Sequence, residues 1–249
     1  MALSFSIAIC TYKRGHLINE RTLAFLRSHS VSPSNIFIFI GGKTEEDFTG
    51  YDHLATEYSN LIRVPHGLHN ARNAVRMFFP KDSRILFLDD DIKQIAHISK
   101  GHYDFVKECE QAFELCKDYD VVGFGFYPTL NYGWMQPTIT IGSYLLYGCA
   151  FGYLNTRDFT NELQLKEDYE FSAWAITAKG GVLRINYLAP VQQLRQTEGG
   201  LSEYRSVKTE EHGCDVLLKK YPDLLRKVYR QHWPELKFKR SVSTIVFES

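Results

Sequence analysis

The sequence has no net charge, no paired cysteines and no long apolar run. Its 29 Lys and Arg residues balance 29 Asp and Glu residues, which argues against a protein that coats DNA but allows an enzyme with a local basic patch. The five cysteines lack CxxC pairs and zinc-finger spacing, as is typical of free thiols in a reducing compartment. No segment approaches the roughly 20 apolar residues of a membrane span, and the first residues do not resemble a signal peptide. We therefore expect a soluble, cytoplasmic protein.

Strand and helix patterns alternate through the first 98 residues. Short apolar runs predict four strands, and the segments between them have helical spacing. This alternation is typical of a parallel sheet covered by helices, as in Rossmann-like folds. In such sheets, ligands bind at the carboxyl ends of the strands. The predicted strands span residues 4–10, 35–42, 61–67 and 84–92.

The remaining residues, 99–249, have a different pattern. Two amphipathic segments predict helices, whereas glycine-punctuated β-rich segments indicate mixed, partly antiparallel strands. The stretch 182–190 predicts one further strand, and 214–229 predicts a helical pair interrupted near Pro222. Because no segment resembles a linker, we expect one α/β domain over residues 1–249.

Three consecutive aspartates, Asp89 to Asp91, follow the apolar run of the fourth predicted strand. On an extended chain, Asp89 and Asp91 point to one side and Asp90 to the other. Their hard oxygen ligands suit Mg²⁺ or Mn²⁺ bound to a substrate diphosphate. The alternative is a solvated acidic turn without a ligand.

Four motifs together resemble the GT-A glycosyltransferases: "SIAICTYKR", "GLHNARNAV", "RILFLDDDI" and "LKEDYEFS" follow the order found in that fold. More narrowly, "KEDYEFSAWAITAKGGVLRINYLAP" and "TEGGLSEYR" resemble the TET/JBP-associated glycosyltransferases, relatives of the base J glucosyltransferases. Those enzymes attach sugars to hydroxymethylated pyrimidines in DNA.

The resemblance implies a metal-dependent inverting glycosyltransferase, with a nucleotide-sugar half at 1–98 and an acceptor half at 99–249. It implies transfer of a hexose from a nucleotide sugar, expected to be UDP-glucose, to a hydroxymethylated base in DNA. A Mn²⁺ or Mg²⁺ ion would be the cofactor. The residues that it assigns are Asp89 and Asp90 to the donor, Asp89, Asp91 and His212 to the metal, Asp168 as base, and Gly199 and Gly200 to the acceptor.

The loops after the first two predicted strands carry candidate donor-binding residues. Tyr12 is suited to stacking on a nucleotide base, Thr11 to donating a hydrogen bond to it, and Arg14 to pairing with a phosphate or ribose oxygen. Gly42 ends the second strand at the same expected edge. The alternative is a solvated basic loop.

A third candidate group lies at the start of the helix after the third strand. Arg72 is suited to an anion near a helix N-terminus, and Asn73 offers a donor and an acceptor for sugar hydroxyls. The alternative is that Asn70 caps the helix and Arg72 makes a surface salt bridge.

Glu167 and Asp168 lie at the first turn of a predicted helix. Asp168 is the candidate general base, which must reach the proton of an acceptor hydroxyl, and Glu167 would orient the acceptor or a neighbouring group. The alternative is that both acids merely stabilise the helix dipole.

The stretch 215–240 holds eight basic and three acidic residues with aromatic residues between them. This composition suits contacts with nucleic-acid phosphates and bases, and Lys219 and Lys220 are its candidate acceptor-binding residues. The alternative is a solvated helix face with a core stripe.

Two other functions compete with transfer to DNA. A glycosyltransferase of the same chemistry that acts on a saccharide would fit the neutral overall charge. A non-catalytic module that binds a nucleotide sugar or DNA would not need both the aspartate cluster and the later acidic pair.

Overall fold

The computed structural model describes residues 3–192, 205–239 and 243–248. Its elements follow one another as strands and helices, with a π-helical turn, Asn19–Leu23, between the first two helices. The strands are β1 (Ser6–Thr11), β2 (Ile36–Gly42), β3 (Leu61–Pro65), β4 (Arg84–Asp89), β5 (Ile92–His97), β6 (Gly123–Phe126), β7 (Thr138–Gly142), β8 (Ala150–Leu154), β9 (Val182–Ile185), β10 (Leu188–Gln192), β11 (Leu225–Arg230), β12 (Trp233–Phe238) and β13 (Thr244–Glu248). The helices are α1 (Gly15–Ile18), α2 (Ala24–Ser28), α3 (Glu46–Thr49), α4 (Leu68–Phe78), α5 (Phe105–Asp118), α6 (Glu167–Lys179) and α7 (Val207–Lys220). Among the helices in these ranges, none combines the length and the apolar character that crossing a bilayer requires.

A nine-stranded sheet with the order β13-β7-β9-β6-β8-β4-β1-β2-β3 forms the centre of the fold. The strands β3, β2, β1 and β4 are parallel, which confirms the Rossmann-like half predicted from the sequence. Beyond them β8 is antiparallel to both β4 and β6, and β7 and β13 are also antiparallel to their neighbours. The predicted mixed, partly antiparallel half is therefore confirmed.

This topology places several loops at one edge of the sheet. The carboxyl ends of β1, β2 and β4 meet there because these strands are parallel. The segment that enters β8 reaches the same edge, since β8 runs antiparallel to β4. Residues that are far apart in the sequence thus meet around the aspartate cluster.

Two apolar layers hold the sheet between helices. Phe113 of α5 and Leu26 of α2 pack on one face, and Val75 of α4 and Phe171 of α6 pack on the other. A smaller cluster joins α7 to the hairpin formed by β11 and β12 through Leu217, Leu225 and Leu236. Each layer buries side chains that recur at helix or strand spacing, which accounts for the local structure.

Two segments differ from the sequence prediction. The expected helical pair over 214–229 is wrong in its second half, because Pro222 cannot continue a helix and residues Leu225–Arg230 form a strand instead. The hairpin turn is made by Gln231 and His232, both with positive φ, which is the conformation that two-residue hairpins favour. The single strand expected over 182–190 is two strands, β9 and β10, which belong to different sheets.

Candidate active site

The loop after β1 holds the second aspartate of the cluster. The Thr11 hydroxyl donates to Oδ2 of Asp90 over 2.6 Å, and Nη1 of Arg14 donates to Oδ1 of Asp90 over 3.2 Å. The three side chains are adjacent because β1 and β4 are parallel neighbours. Burial raises the pKa of Asp90, whereas Arg14 and Thr11 oppose that rise.

Tyr51 fixes this loop from behind. Its hydroxyl lies 2.8 Å from the Thr11 hydroxyl oxygen and accepts a hydrogen bond of 3.0 Å from the backbone N–H of Arg14. Burial raises the pKa of Tyr51 to about 12, so the phenol stays protonated. The tyrosine follows α3, in a segment with no motif that sequence reasoning could have connected to the aspartates.

The three aspartates do not lie on one extended segment. Asp89 is the last residue of β4, and Asp90 and Asp91 form the turn that leads into β5. Thr22 supports this turn, because its hydroxyl donates to the backbone oxygen of Asp89 over 2.6 Å and accepts from the N–H of Ile92 over 3.0 Å. The alternation of side chains expected for an extended strand therefore does not apply to this turn. Asp90 nevertheless has its own partners, Thr11 and Arg14.

Asp91 has an oxygen that is available for a ligand. Its Oδ1 atom is buried and has no hydrogen bond among the described residues, while Oδ2 lies 3.9 Å from Nη1 of Arg14. Burial raises the pKa of Asp91 to about 6, and Asp90 adds to the effect. Burial and then Asp91 also raise the pKa of Asp89. Two close carboxylates that are costly to ionise together fit a divalent cation with oxygen ligands.

His212 does not complete a protein-only metal cluster. It is exposed on α7, and no group of three or more His, Cys, Asp or Glu side chains able to hold a metal ion occurs in the described part of the chain. A metal ion on Asp89 and Asp91 would take its other ligands from substrate oxygens or water, as Mg²⁺ commonly does.

Arg72 is a buried residue and not part of a surface salt bridge. Its Nη1 atom lies 3.0 Å from Oε1 of Glu167, its Nη2 atom donates to the Gly148 carbonyl over 2.7 Å, and the residue is 2% exposed. Burial opposes the charge, but Glu167, Asp89 and Asp168 together raise the pKa of Arg72. The guanidinium therefore connects α4 to the segment before β8 and to α6.

The segment before β8 positions Asp168. The N–H of Gly148 donates to Oδ2 of Asp168 over 3.4 Å, and the N–H of Tyr169 donates to Oδ1 over 2.8 Å. A Cβ atom at position 148 would lie 2.6 Å from Nη2 of Arg72, so a larger residue there would displace the guanidinium. Sequence reasoning did not identify Gly148.

Cys149 lies among the three candidate carboxylates. Burial raises the pKa of its thiol, and the charges of Asp89, Asp91 and Asp168 raise it further. Its backbone oxygen also accepts a 2.8 Å hydrogen bond from the N–H of Asp89. The structure therefore brings the predicted base and the two predicted metal ligands to one place.

The carboxylate of Glu167 is paired with Arg72, which favours a role in orienting that neighbouring group over direct contact with an acceptor. It is buried beneath the first turn of α6. Burial raises the pKa of Glu167 to about 7, and Arg72 acts in the opposite direction.

Three other predicted donor residues have close protein contacts. The side-chain Nδ2 of Asn73 donates to the backbone oxygen of Asn161 over 2.9 Å, and its Oδ1 accepts from the N–H of Asn161 over 2.8 Å. Both contacts favour a structural role. The Tyr12 ring contacts the His66 ring edge-on, with centroids 4.4 Å apart. Gly42 lies against the Phe48 ring, which a Cβ atom would approach to 2.5 Å.

Two of the predicted acceptor residues lie at the end of α7, and the other two fall outside the described residues. Lys219 and Lys220 are exposed at the end of α7, and Nζ of Lys220 lies 3.7 Å from Oε1 of Glu170. Gly199 and Gly200 fall outside the described residues.

A cavity of about 620 Å³ adjoins the loop after β1. It begins beside Tyr51 and extends toward α3. Its lining residues are Lys13, Gly15, His16, Thr44, Glu46, Asp47, Gly50, Tyr51 and His53.

Comparison of structures shows which known fold this arrangement has. Neither family models nor curated proteins match the sequence. Glucosyl-3-phosphoglycerate synthase from Mycobacterium tuberculosis, solved with Mn²⁺, UDP and phosphoglyceric acid, matches with a TM-score of 0.56 and 9% identity over 97% of this chain and 88% of that chain. A complex of the same enzyme with Mg²⁺ and UDP matches with a TM-score of 0.53 and 8% identity over 96% and 88% of the two chains.

The fragment 1–349 of TarS from S. aureus matches with a TM-score of 0.50 and 15% identity over 75% of this chain. The chain spans 60% of the length of that fragment. At these identities the likeness concerns the fold. The chain has the mixed α/β architecture of GT-A glycosyltransferases, as the sequence motifs predicted.

Proposed function

We propose that this chain is a metal-dependent glycosyltransferase that moves a sugar from a nucleotide sugar to an acceptor hydroxyl. The observation that carries the proposal is that the aspartate cluster and Asp168 contact adjacent residues: the N–H of Asp89 donates to the Cys149 carbonyl and Asp168 accepts from the N–H of Gly148. Both contacts lie at the sheet edge where α/β proteins bind ligands. A purely binding module would not need the third carboxylate. We further propose that 1–98 and 99–249 are the donor and acceptor halves of one domain.

UDP-glucose is the proposed donor. The structural neighbour from Mycobacterium tuberculosis was solved with Mn²⁺ and UDP-glucose, and the loop after β1 offers matching chemistry here. Tyr12 would stack on the base, while Thr11 and Arg14 are fixed beside Asp90.

Asp89 and Asp91 would hold a Mn²⁺ or Mg²⁺ ion, and the unpartnered Oδ1 of Asp91 fits this role. Such an ion neutralises charge that develops on a diphosphate leaving group. Arg72 adds a fixed positive charge behind the site, since it lies close enough to Asp89 to lower the pKa of that carboxyl.

Asp168 is the proposed general base. Among the residues that the structure describes, its Oδ2 atom has one long contact, with the N–H of Gly148, which leaves a lone pair for the proton of the acceptor hydroxyl. As that proton moves to Asp168, the acceptor oxygen bonds to C1 of the sugar, and the bond from C1 to the diphosphate breaks. This single displacement inverts the configuration at C1. Glu167 acts as a positioning residue through Arg72.

A hydroxymethylated pyrimidine in DNA is the proposed acceptor. Such a base must leave the stack to reach the half-buried carboxylate of Asp168. The basic residues near the end of the chain, Lys219 and Lys220 among them, support contact with phosphates. Gly199 and Gly200 remain predicted acceptor residues. The saccharide alternative is supported by the neutral overall charge and by the small acceptor, phosphoglyceric acid, in the complex of the structural neighbour.

A donor and acceptor screen tests the proposal. Purified protein with Mn²⁺ is offered UDP-glucose and other nucleotide sugars together with hydroxymethylcytosine DNA, hydroxymethyluracil DNA or free saccharides. Release of the nucleoside diphosphate above the rate without acceptor identifies the pair. No release with any pair would contradict an enzymatic role, and release only with saccharides would support the alternative acceptor.

A further inference from the structure

The hairpin of β11 and β12 has one face packed on the protein and one face turned outward. The packed face carries Leu225 and Leu236, both 1% exposed and in contact with the α7 cluster. Because side chains alternate along a strand, the register places a second set on the outward face. This outward set consists of Arg226, Val228, Arg230, Trp233, Glu235 and Lys237.

The outward face has an unbalanced positive charge. Arg226 lies directly opposite Lys237 in the strand register, and like charges in that position destabilise a sheet. Arg226, Arg230 and Lys237 are exposed, and within residues 3–192, 205–239 and 243–248 none of them has an ion pair, while Glu235 is the only acid on that face. Lys227 on the packed face differs, because it pairs with Glu211 and Asp215.

The hairpin is attached next to the proposed base. Lys166, which immediately precedes α6 and its Asp168, donates from Nζ to the backbone oxygen of Pro234 over 3.4 Å. The pKa of Tyr147 is raised by burial, then by Asp168, and less strongly by Glu235. The start of β12 thus lies against Lys166, two residues before the candidate base.

The dimensions and chemistry of this face indicate an extended anionic ligand. Arg226 and Arg230 are four residues apart on one strand, a distance of about 13 Å at the usual rise per residue. An isolated phosphate would engage only one end of this row. Trp233 lies half-buried on the same face, and an indole beside guanidinium groups is suited to stacking on a nucleobase.

We propose that Arg226, Arg230, Lys237 and Trp233 form a nucleic-acid binding surface that leads the acceptor strand toward Asp168. This inference rests on the proposed function for the direction of the strand, but the surface itself is testable without catalysis. It also reduces the candidates in the basic segment to three basic residues on one face of the hairpin that have no ion pair within the described residues, together with Trp233.

The test compares two double variants of the full chain with equal charge change. Arg226→Glu/Lys237→Glu alters the hairpin, and Lys81→Glu/Lys117→Glu alters two exposed lysines elsewhere, before β4 and in α5. Fluorescence anisotropy measures binding of a labelled single-stranded hydroxymethylcytosine oligonucleotide across a salt series, without nucleotide sugar. We expect the hairpin variant to bind at least roughly tenfold more weakly and its salt slope to fall by about 0.7 for each phosphate that the surface no longer neutralises. The control variant should bind as the wild type does.

Further measurements make each outcome decisive. Thermal unfolding and UDP binding with Mn²⁺ report whether the variant is folded, and Arg226→Gln/Lys237→Gln replaces it if it is not. Equal DNA affinity in the hairpin variant and the wild type would overturn the proposal. Two results together would overturn the nucleic-acid assignment in favour of a general polyanion surface: inorganic polyphosphate competes as well as the unlabelled oligonucleotide does, and Trp233→Ala binds DNA as the wild type does. If neither the wild type nor any variant transfers sugar, while only the hairpin variant loses DNA binding, the binding surface is supported and the proposed function fails.

Discussion

Arg72 of α4 and Glu167 of α6 form a buried ion pair, with Nη1 of the arginine 3.0 Å from Oε1 of the glutamate. The same guanidinium donates to the Gly148 carbonyl, and Gly148 in turn donates to Asp168. One charged group therefore connects the helix after β3, the segment before β8 and the helix that carries the proposed base. Its removal should affect the fold as well as the site.

The first prediction concerns stability. Arg72→Ala leaves Glu167 buried without its cation, and breaking a buried pair in this way costs about 3–5 kcal/mol. The matched control is Arg63→Ala, because Arg63 pairs with Glu45 at the surface, where its side chain is 57% exposed, and such pairs contribute about 0–1 kcal/mol. Urea unfolding of both variants measures the difference. Similar losses in the two variants would contradict the structural role of Arg72.

The second prediction concerns the pH dependence of that loss. Burial raises the pKa of Glu167 to about 7 from a usual value of 4.5, so the folded state holds a proton that the unfolded state releases between these values. Stability from this group is therefore greatest at low pH and falls as pH rises through about 7. Without Arg72, which lowers the pKa, the neutral form of Glu167 is favoured further. We expect the cost of Arg72→Ala to be smaller at about pH 5 than at about pH 8, as measured by urea unfolding, and a cost independent of pH would count against the buried pair.

The third prediction concerns donor affinity. Arg14 lies beside Asp90 and Asp91 and is proposed to pair with a phosphate or ribose oxygen of the donor. The loss of such a charge-assisted hydrogen bond costs roughly 1.5–3 kcal/mol. Arg14→Ala should therefore weaken UDP-glucose binding about tenfold or more, as measured by calorimetry with Mn²⁺. Arg84→Ala is the control, since Arg84 pairs with Glu114 at the amino end of β4, the end of the strand away from the aspartates. Unchanged affinity of Arg14→Ala for UDP-glucose would favour the alternative that this basic loop does not contact the donor.

The proximity of Thr11 and Arg14 to the aspartates could be predicted from local sequence motifs. Thr11, Arg14 and the aspartates follow apolar runs of strand length, and parallel β pairing brings such strand ends together. Tyr51 and Gly148 could not be predicted, because their contacts depend on segments that meet only in the folded chain.

Ambiguity of pattern explains the other differences between prediction and structure. Arg72 occupies the expected helix, but its burial depends on α6, which lies far along the sequence. The segment 225–230 has apolar residues that fit either period over so short a length. The positive φ of Gln231 and His232, which sets the hairpin turn, is not encoded by a glycine or asparagine that would have indicated it.

The fourth prediction concerns the metal. Asp91→Asn removes the carboxylate whose Oδ1 is buried and unpartnered among the described residues, so Mn²⁺-dependent binding of UDP should be lost. The apo protein should remain folded, because the change also removes one of several crowded negative charges. Asp82→Asn, an exposed acid-to-amide change before β4, is the control. Calorimetry with and without EDTA measures the effect, and full activity of Asp91→Asn in EDTA would exclude the metal site.

The last prediction concerns the base. If Asp168 accepts the proton of the acceptor hydroxyl, Asp168→Asn should bind UDP and Mn²⁺ normally, because the amide keeps an oxygen for the N–H groups of Gly148 and Tyr169. Turnover should nevertheless fall by about 10²–10⁴-fold, the usual contribution of general-base catalysis. Single-turnover transfer from UDP-glucose, followed by NMR of the product, measures the rate and the anomer together. A single displacement requires a β-linked product from the α-linked donor. Retention of configuration, or a variant as fast as the wild type, would remove Asp168 from this role even if the metal and donor predictions hold.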